Sequence, residues 1–167
     1  RMLLLLSWIG LVHASNIVIN EVMVGPDEAD SSLEWVEIYN AGDAPVDLDG
    51  WSLQWGTSAG LYDGLHTFEA FVLEPGAFLV VGDESLASVT MAAEFSFGSG
   101  SVDSDAIRLM NTVTEYTDTL VYGAPNTDGW LDDSGEIASS MAPAPDEGFS
   151  VGRNIDGVDT HDGGVDF

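Results

Sequence analysis

The stretch LEWVEIYNAGDAPVDLDGWSL, Leu33–Leu53, decides the fold that this sequence predicts. Apolar and polar residues alternate over Leu33–Asn40, which is the pattern of a half-buried β-strand. The small and polar residues of Ala41–Pro45 predict a turn, and a second apolar run follows, with a tryptophan at position 51. We expect two adjacent strands with Trp35 and Trp51 on their buried sides, where two large aromatic side chains would give a small sheet its core.

The rest of the chain repeats this pattern, with short apolar runs separated by Gly, Pro, Asp and Asn. These runs predict strands at Asn16–Met23, Leu33–Asn40, Trp51–Trp55, Thr67–Leu73, Ala77–Gly82, Ala106–Asn111, Glu115–Tyr122 and Phe149–Gly152. Ala77–Val81 is apolar without alternation, so we expect a central strand covered on both faces. Glu84–Ala93 has room for one helical turn, and residues 123–147 predict a long loop. The pattern predicts an all-β chain, most simply a two-sheet β-sandwich.

Composition limits the classes of function that are compatible with the chain. Its 167 residues suffice for one domain, which can bury about 70% of its extended surface. The net charge is −26, from 29 acidic residues against three arginines. Nucleic acid is therefore not an expected partner, because binding it requires a basic surface that displaces counterions. The absence of cysteine excludes a disulfide framework and a thiol nucleophile.

The first 14 residues, RMLLLLSWIGLVHA, predict a secretory signal peptide. Arg1 supplies a minimal positive region, Leu3–Val12 an apolar core, and Val12–Ala14 small residues at a cleavage site. The alternatives are a membrane anchor, for which ten apolar residues are too few, and a buried first strand, which suits a leucine run poorly. We expect a mature chain that begins at Ser15, lies outside the cell or on its surface, and has no membrane span.

Several motifs follow one another in the order that is typical of a known domain. They are INEV (Ile19–Val22), EWVEIYN (Glu34–Asn40), VDLDGWSL (Val46–Leu53), LEPGAFLVVG (Leu73–Gly82), DAIRLMN (Asp105–Asn111) and the closing segment Gly148–Phe167. On these motifs the chain resembles the lamin-tail domain family, in the type found in bacterial secreted proteins. The resemblance implies one immunoglobulin-like β-sandwich over residues 15–167. It leaves open whether the module stands alone or continues into a further domain beyond Phe167.

The resemblance also implies a function without catalysis. Lamin-tail domains are similar to other immunoglobulin-like modules in serving association, so we expect an unidentified protein or cell-surface partner and no cofactor. Bacterial members are often joined to extracellular nucleases, phosphatases or surface proteins. The alternative is therefore an accessory domain or fragment of an extracellular hydrolase of the nuclease, phosphatase or esterase type.

One motif raises the question of catalysis. GFSVG at Gly148–Gly152 matches the nucleophile elbow G-x-S-x-G, and Asp156, Asp159 and His161 follow it. An elbow needs a helix directly after the serine, whose N-terminus helps to build the oxyanion hole. The residues that follow here do not favour a helix. We therefore predict a final strand with Ser150 facing outward, and no catalytic residue.

The glutamates of the motifs and the histidine at position 66 are also predicted to have structural roles or to be exposed, without a catalytic role. The odd spacing of Glu34 and Glu37 places them on opposite faces of one strand, which prevents them from acting as an acid–base pair. We expect Glu21 and Glu37 to accept hydrogen bonds from loop backbone N–H groups. His66 stands alone in a predicted turn, which is typical of a structural or exposed histidine.

The closing segment is rich in aspartate, and Asp156, Asp159 and Asp162 are weak calcium candidates. Hard cations prefer clustered carboxylate and carbonyl oxygens on glycine-containing loops. A second cluster lies at Asp43–Gly50. Neither cluster fits the EF-hand spacing, so a solvated acidic loop is favoured over a calcium site, and no metal site is predicted.

Overall fold

A computed structural model describes residues 16–26, 33–57, 60–113, 116–123 and 125–167. The predicted signal peptide at residues 1–14 lies outside these ranges. In chain order the strands are β1 (Ile17–Met23), β2 (Trp35–Asn40), β3 (Val46–Asp47), β4 (Ser52–Gly56), β5 (Gly64–Thr67), β6 (Val72–Leu73), β7 (Phe78–Gly82), β8 (Met91–Ala92), β9 (Ser104–Met110), β10 (Tyr116–Gly123) and β11 (Val151–Gly152). A four-residue helical turn, α1 (Gly163–Asp166), lies close to the C-terminus.

The strands form two sheets that pack face to face. One sheet has the order β11-β1-β2-β7-β8 and the other has the order β10-β9-β4-β5, while β3 and β6 form a separate two-stranded ribbon. Neighbouring named strands are antiparallel, apart from β7 with β8. The prediction of an all-β, immunoglobulin-like two-sheet sandwich is confirmed.

The core lies between the two sheets and follows from the alternation in each strand. On β2, Val36 and Ile38 are fully buried, and on β4 Leu53 is fully buried. Ile107 and Leu109 of β9 face the same core. These positions are two residues apart within their strands, as expected for side chains on one face of a sheet. Branched aliphatic side chains therefore fill most of the space between the sheets.

The expected pairing of two strands through their tryptophans is wrong. β2 and β4 belong to opposite sheets, and only the second of the two residues, Trp51, is buried in the core. Trp35 is partly exposed on the outer face of β2, opposite Gly82 of β7. A Cβ on Gly82 would come within 2.7 Å of the Trp35 Cβ. The glycine therefore gives Trp35 room outside the core, while the smaller Val36 and Ile38 point inward.

Three other local expectations also differ from the structure. The predicted strand Thr67–Leu73 is interrupted, because β5 ends at Thr67 and β6 begins at residue 72. Between them Phe68 is buried, and its N–H donates a hydrogen bond to the Trp51 carbonyl. Glu84–Ala93 contains turns and β8 rather than a helical turn. β7 is covered on one face only, because Leu79 and Val81 are buried while Phe78 is exposed.

Residues 125–142 lack a named strand but are not a loose connection. Trp130 is almost fully buried there, and its Nε1–H donates to the Ser104 carbonyl at 2.8 Å. Together with Ala138, it packs on Ala106 and Val121, which face outward from the four-stranded sheet. This segment therefore covers one end of that sheet's outer face with a second, smaller core.

Candidate functional site

Arg153 connects the closing segment to both sheets. Its side chain is 1% exposed, and its Nη2 lies 2.7 Å from an Asp118 oxygen of β10. Nη1 lies 3.0 Å from Asp166 and also donates to the Val158 carbonyl at 2.6 Å. Nε donates to the Ile19 carbonyl of β1 at 2.8 Å. The guanidinium group thus joins β1, β10 and α1.

Two irregular points in the sheets create the site that receives this arginine. The register of β1 against β2 shifts between Ile19 and Glu21, and that of β10 against β9 shifts between Tyr116 and Asp118. β-Bulges of this kind re-aim groups that would otherwise pair within the sheet. Here the Ile19 N–H donates to the Asp118 carboxylate across the sandwich at 2.6 Å.

Burial governs the electrostatics of this network. It raises the pKa of Asp118 to about 7, although the nearby Arg153 guanidinium and the Ile19 N–H both favour the ionised form. Two buried carboxylates, those of Asp118 and Asp166, share one buried guanidinium. Since all three side chains are at most 3% exposed, solvent has little access to the network, and its role is to hold the chain together.

The three calcium candidates do not converge on one point. Asp156 accepts a hydrogen bond from the Asn20 amide at 3.2 Å, close to β1. Asp159 lies 3.9 Å from Arg153 Nη1. Oδ1 of Asp162 is buried without a hydrogen-bond partner among the described residues. Asp156 therefore lies in a different environment from Asp159 and Asp162, whose residues line one small cavity.

A different group of ligating atoms does come together. Nδ1 of His161 lies 2.6 Å from Asp133 Oδ2 and 3.5 Å from Asp159 Oδ2, and the three residues can place their ligand atoms within 4.8 Å of one another. The hydrogen bond that the His161 ring makes to the Asp133 carboxylate raises the pKa of His161, and burial raises the pKa of Asp133. Sequence reasoning missed Asp133 because it lies 28 residues before His161, in the predicted loop.

The serine motif does not form a nucleophile elbow. Strand β11 includes only Val151 and Gly152, residues 153–162 form turns and bends, and α1 begins at Gly163. The Ser150 hydroxyl donates to a carboxylate oxygen of Glu21. Ser150 is therefore tied to β1 instead of facing freely outward.

The acidic residues of the motifs also differ in detail from expectation. Glu21 and Glu37 accept hydrogen bonds from the side chains of Ser150 and Asn20, and no backbone N–H of a described residue donates to either carboxylate. Glu34, on the opposite face of the strand, is buried and accepts a hydrogen bond from the Phe97 N–H at 2.9 Å. Burial raises the pKa of Glu34 to about 7.

His66 lies on β5 and not in a turn, where its ring contacts Phe68 and Phe95. Its Nε2 is buried and has no hydrogen-bond partner among the described residues. Burial lowers the pKa of His66. The neutral imidazole therefore packs as part of an aromatic cluster.

The open part of the four-stranded sheet's outer face carries a mixed polar and apolar surface. Leu65, Gln54, Arg108 and Thr119 lie side by side across β5, β4, β9 and β10. The Arg108 guanidinium lies 3.7 Å from the centre of the Tyr62 ring and donates to Gln54 Oε1. Such stacking favours Arg over Lys, because the guanidinium is planar and weakly hydrated.

A pocket of about 270 Å³ opens beside Arg108 and Tyr62. Leu61, Trp130 and Leu131 also line it. Leu61, in the connection before β5, and Leu65, on β5, are 67% and 61% exposed. We call Leu61, Tyr62, Leu65, Arg108 and Leu131 the outer-face patch.

The fold and these surfaces define an immunoglobulin-like β-sandwich module without a recognisable catalytic arrangement among the described residues. Residues 13–124 match the family described as Lamin Tail Domain. The chain therefore belongs to the lamin-tail domain family. No curated protein shows a significant match to the chain. Within the described residues, no helix has the length and apolar character needed to cross a membrane.

Proposed function

We propose that this lamin-tail module functions by association, through the outer-face patch, with a protein partner or a component of the cell surface. The observation that carries the proposal is the exposure of Leu61, which lines the pocket with Arg108 and Tyr62, and of Leu65, which lies beside Gln54 on the same sheet face. Contiguous exposed apolar surface marks interaction sites on soluble domains. Tyr and Arg are also the residue types that dominate the binding energy of protein interfaces.

The charge of the chain favours the same class of partner. With a net charge of −26, the module would repel nucleic acid and anionic lipid, and it would attract a basic protein surface at a distance. An apolar patch inside an acidic surround would then provide the short-range contacts. This mode of association would serve a free-standing module, and equally one that positions a joined extracellular hydrolase.

We propose further that the module acts outside the cytoplasm. The apolar run Leu3–Val12 and the small residues before Ser15 support export. Expression of the full chain in a Gram-negative host should yield protein outside the cytoplasm whose N-terminus is Ser15. Mass spectrometry of an intact N-terminus on cytoplasmic protein would contradict export and leave the association proposal to its own test.

Association can be tested by binding of the labelled protein to intact cells of the producing organism. We expect saturable binding that is at least tenfold weaker in the double variant Leu61→Asp/Leu65→Asp. The matched control is Ile155→Asp, which adds a negative charge at an equally exposed aliphatic residue of the closing segment. Equal binding of the double variant and the control would contradict the assignment of this patch.

A further inference from the structure

We propose that Asp133, Asp159 and His161 bind a divalent transition-metal ion, with Zn²⁺ the best match to the ligand set. This proposal is independent of the outer-face patch. The three side chains offer two carboxylate oxygens and one imidazole nitrogen, with ligand atoms that lie within 4.8 Å of one another. Carboxylate and histidine ligands, three from the protein, are typical of zinc sites that keep one open position.

The backbone holds these ligands in place. The His161 N–H donates to Asp159 Oδ1 at 3.0 Å, which leaves Asp159 Oδ2 turned toward His161 Nδ1 at 3.5 Å. In a tetrahedral zinc site, neighbouring ligand atoms are about 3.3 Å apart, given metal–ligand distances of about 2.0 Å. The pair of Asp159 and His161 already has this spacing. The shorter 2.6 Å contact between His161 and Asp133 would open as an ion replaced the shared proton.

The accessibility of the ligands also suits an ion. The side chains of Asp133 and Asp159 are 6% and 19% exposed, whereas that of His161 is 59% exposed. The two carboxylates therefore form the floor of the site, and the imidazole lies at its rim. An ion could enter from the side of the histidine without unfolding the surrounding turns.

An unsatisfied carboxylate oxygen lies next to this group in the sequence. Asp162 follows His161 directly, and its Oδ1 is buried without a hydrogen-bond partner among the described residues. Asp162, Asp159 and His161 line one small cavity with a volume of about 10 Å³, enough for a single water molecule, whereas Asp133 is not among its lining residues. A buried carboxylate oxygen without a donor is costly. A water molecule in this cavity, including one carried by an ion on Asp159 and His161, would satisfy it.

The local charge balance leaves a deficit that a cation would relieve. Among the described residues, Arg153 is the arginine that approaches this group, but its guanidinium is already paired with Asp118 at 2.7 Å and Asp166 at 3.0 Å. Its distance to Asp159 is longer, at 3.9 Å. Within the described part of the chain, the imidazole of His161 is thus the positive group closest to both Asp133 and Asp159, and it offers at most one charge.

The donor types decide between metals. Calcium and magnesium prefer sites made entirely of oxygen ligands, whereas imidazole nitrogen favours zinc and other late transition metals. Zinc bound here would join the turn at Asp133 to the closing segment at Asp159 and His161. The expected consequence is a clip that fixes the last part of the chain against residues 131–137.

The test uses the full chain, expressed without a histidine tag and treated with a chelator. Isothermal titration with ZnCl₂ should show one ion per chain, and the melting temperature should rise in a saturable way, since an ion that binds only the folded state stabilises it by mass action. CaCl₂ and MgCl₂ at the same concentration should not reproduce the rise. His161→Gln and Asp133→Asn should each weaken zinc binding at least tenfold.

The matched control is Asp156→Asn, which removes an exposed carboxylate of the same segment outside the cluster. It should bind zinc as the wild type does. Circular dichroism without metal should show that all variants are folded, so that a loss of binding reports the ligand and not the fold. Absence of saturable zinc binding, or binding unchanged in both ligand variants, would overturn the proposal.

Discussion

The Arg153 guanidinium and the Asp118 carboxylate form an ion pair with an N–O distance of 2.7 Å, and their side chains are only 1% and 2% exposed. The pair joins the closing segment to β10, which lies 35 residues earlier in the chain. Residues 13–124 carry the family match, so this contact ties a segment outside the matched region to the sandwich itself. Residues 151–167 therefore pack against the sandwich through β11, Arg153 and Asp166.

Replacing Arg153 by Met should destabilise the domain strongly. Removing one partner of a buried ion pair leaves the other charge uncompensated, which typically costs about 3–5 kcal/mol. Here the substitution leaves both Asp118 and Asp166 without their guanidinium partner. Urea unfolding at neutral pH should show the loss as a lower free energy of unfolding.

Asp118→Asn is the matched control for this prediction. The asparagine keeps an oxygen that accepts hydrogen bonds from Arg153 and the Ile19 N–H, and Arg153 keeps Asp166 as an ionic partner. This variant should therefore lose less stability than Arg153→Met. An Arg153→Met protein as stable as the wild type would show that the network contributes little.

Local patterns in the sequence predicted most of the strands but not this network. Alternation over β2 and the apolar run of β9 depend on neighbours in sequence, so they can be recognised without the fold. The pairing of Arg153 with Asp118 depends on two register shifts in different sheets, and no local pattern encodes where those shifts meet. The metal-ligating group has the same property, because Asp133 reaches His161 only through the folded loop.

The tryptophans show the limit of reasoning from residue type. A large aromatic side chain in a strand favours burial, but which face is buried depends on the opposite sheet. Trp51 lies in the core, Trp35 lies outside it, and Trp130 is buried within a segment whose composition predicted a loop. Burial in that segment depends on a second core, formed with outward-facing residues of β9 and β10, which sequence patterns did not indicate.

Trp51→Ala should cost on the order of 3–5 kcal/mol, the usual range for truncating a large buried aromatic side chain. Trp35→Ala should cost clearly less, because that side chain is partly exposed. Chemical denaturation of the two variants compares the loss of a tryptophan inside the core with the loss of one on the outer face of a sheet. Equal losses of stability would contradict the faces described above.

Stability should fall as the pH rises from about 4 to about 7. Burial raises the pKa of Glu34 and of Asp118 to about 7, and that of Asp105 to about 6. In the unfolded chain such carboxyl groups ionise near pH 4. Between these values the folded state holds more protons than the unfolded state, so raising the pH favours unfolding. Urea unfolding at pH 5 and pH 8 measures the difference.

The substitution Glu34→Gln isolates the contribution of Glu34 to the pH dependence of stability. The glutamine oxygen can still accept the hydrogen bond from the Phe97 N–H, but the side chain no longer titrates. The variant should gain stability relative to the wild type at pH 8 and not at pH 5. Burial lowers the pKa of His66, so below about pH 6.5 this histidine makes stability rise with pH. Its contribution is the same in the wild type and in Glu34→Gln, so it cancels in the comparison. An unaltered pH dependence in Glu34→Gln would contradict the assignment to Glu34.

The wild-type domain should not hydrolyse ester substrates, and Ser150→Ala should therefore leave the rate of ester hydrolysis unchanged. The helix that a nucleophile elbow requires does not follow Ser150 directly, and its hydroxyl is bonded to Glu21. The substitution should cost only about 1 kcal/mol of stability, from one hydrogen bond. Ester turnover by the wild type that disappears in Ser150→Ala would overturn the non-enzymatic assignment.

Salt should stabilise the domain because it screens the repulsion among the many carboxylates of the chain. A net charge of −26 crowds carboxylates together on folding, and their repulsion acts over the Debye length, which shrinks from about 10 Å at 0.1 M salt to about 3 Å at 1 M. The melting temperature should therefore climb smoothly with sodium chloride. A melting temperature that is independent of salt would show that the surface charges are already compensated in the folded state.

Calcium distinguishes this diffuse repulsion from a calcium site at Asp156, Asp159 and Asp162. Because these carboxylates lie in different environments, with Asp156 on Asn20 and Asp159 beside Arg153, millimolar calcium should add only a modest rise in melting temperature that magnesium reproduces. A specific site would instead make the melting temperature rise with calcium in a saturable way and by more than with magnesium. Magnesium requires a strict octahedral arrangement of ligands, which such loops do not provide. In that case Asp159→Asn and Asp162→Asn would abolish the calcium increment and leave the sodium chloride trend intact. We expect both variants to retain whatever small calcium effect the wild type shows, since ion screening does not depend on any one carboxylate.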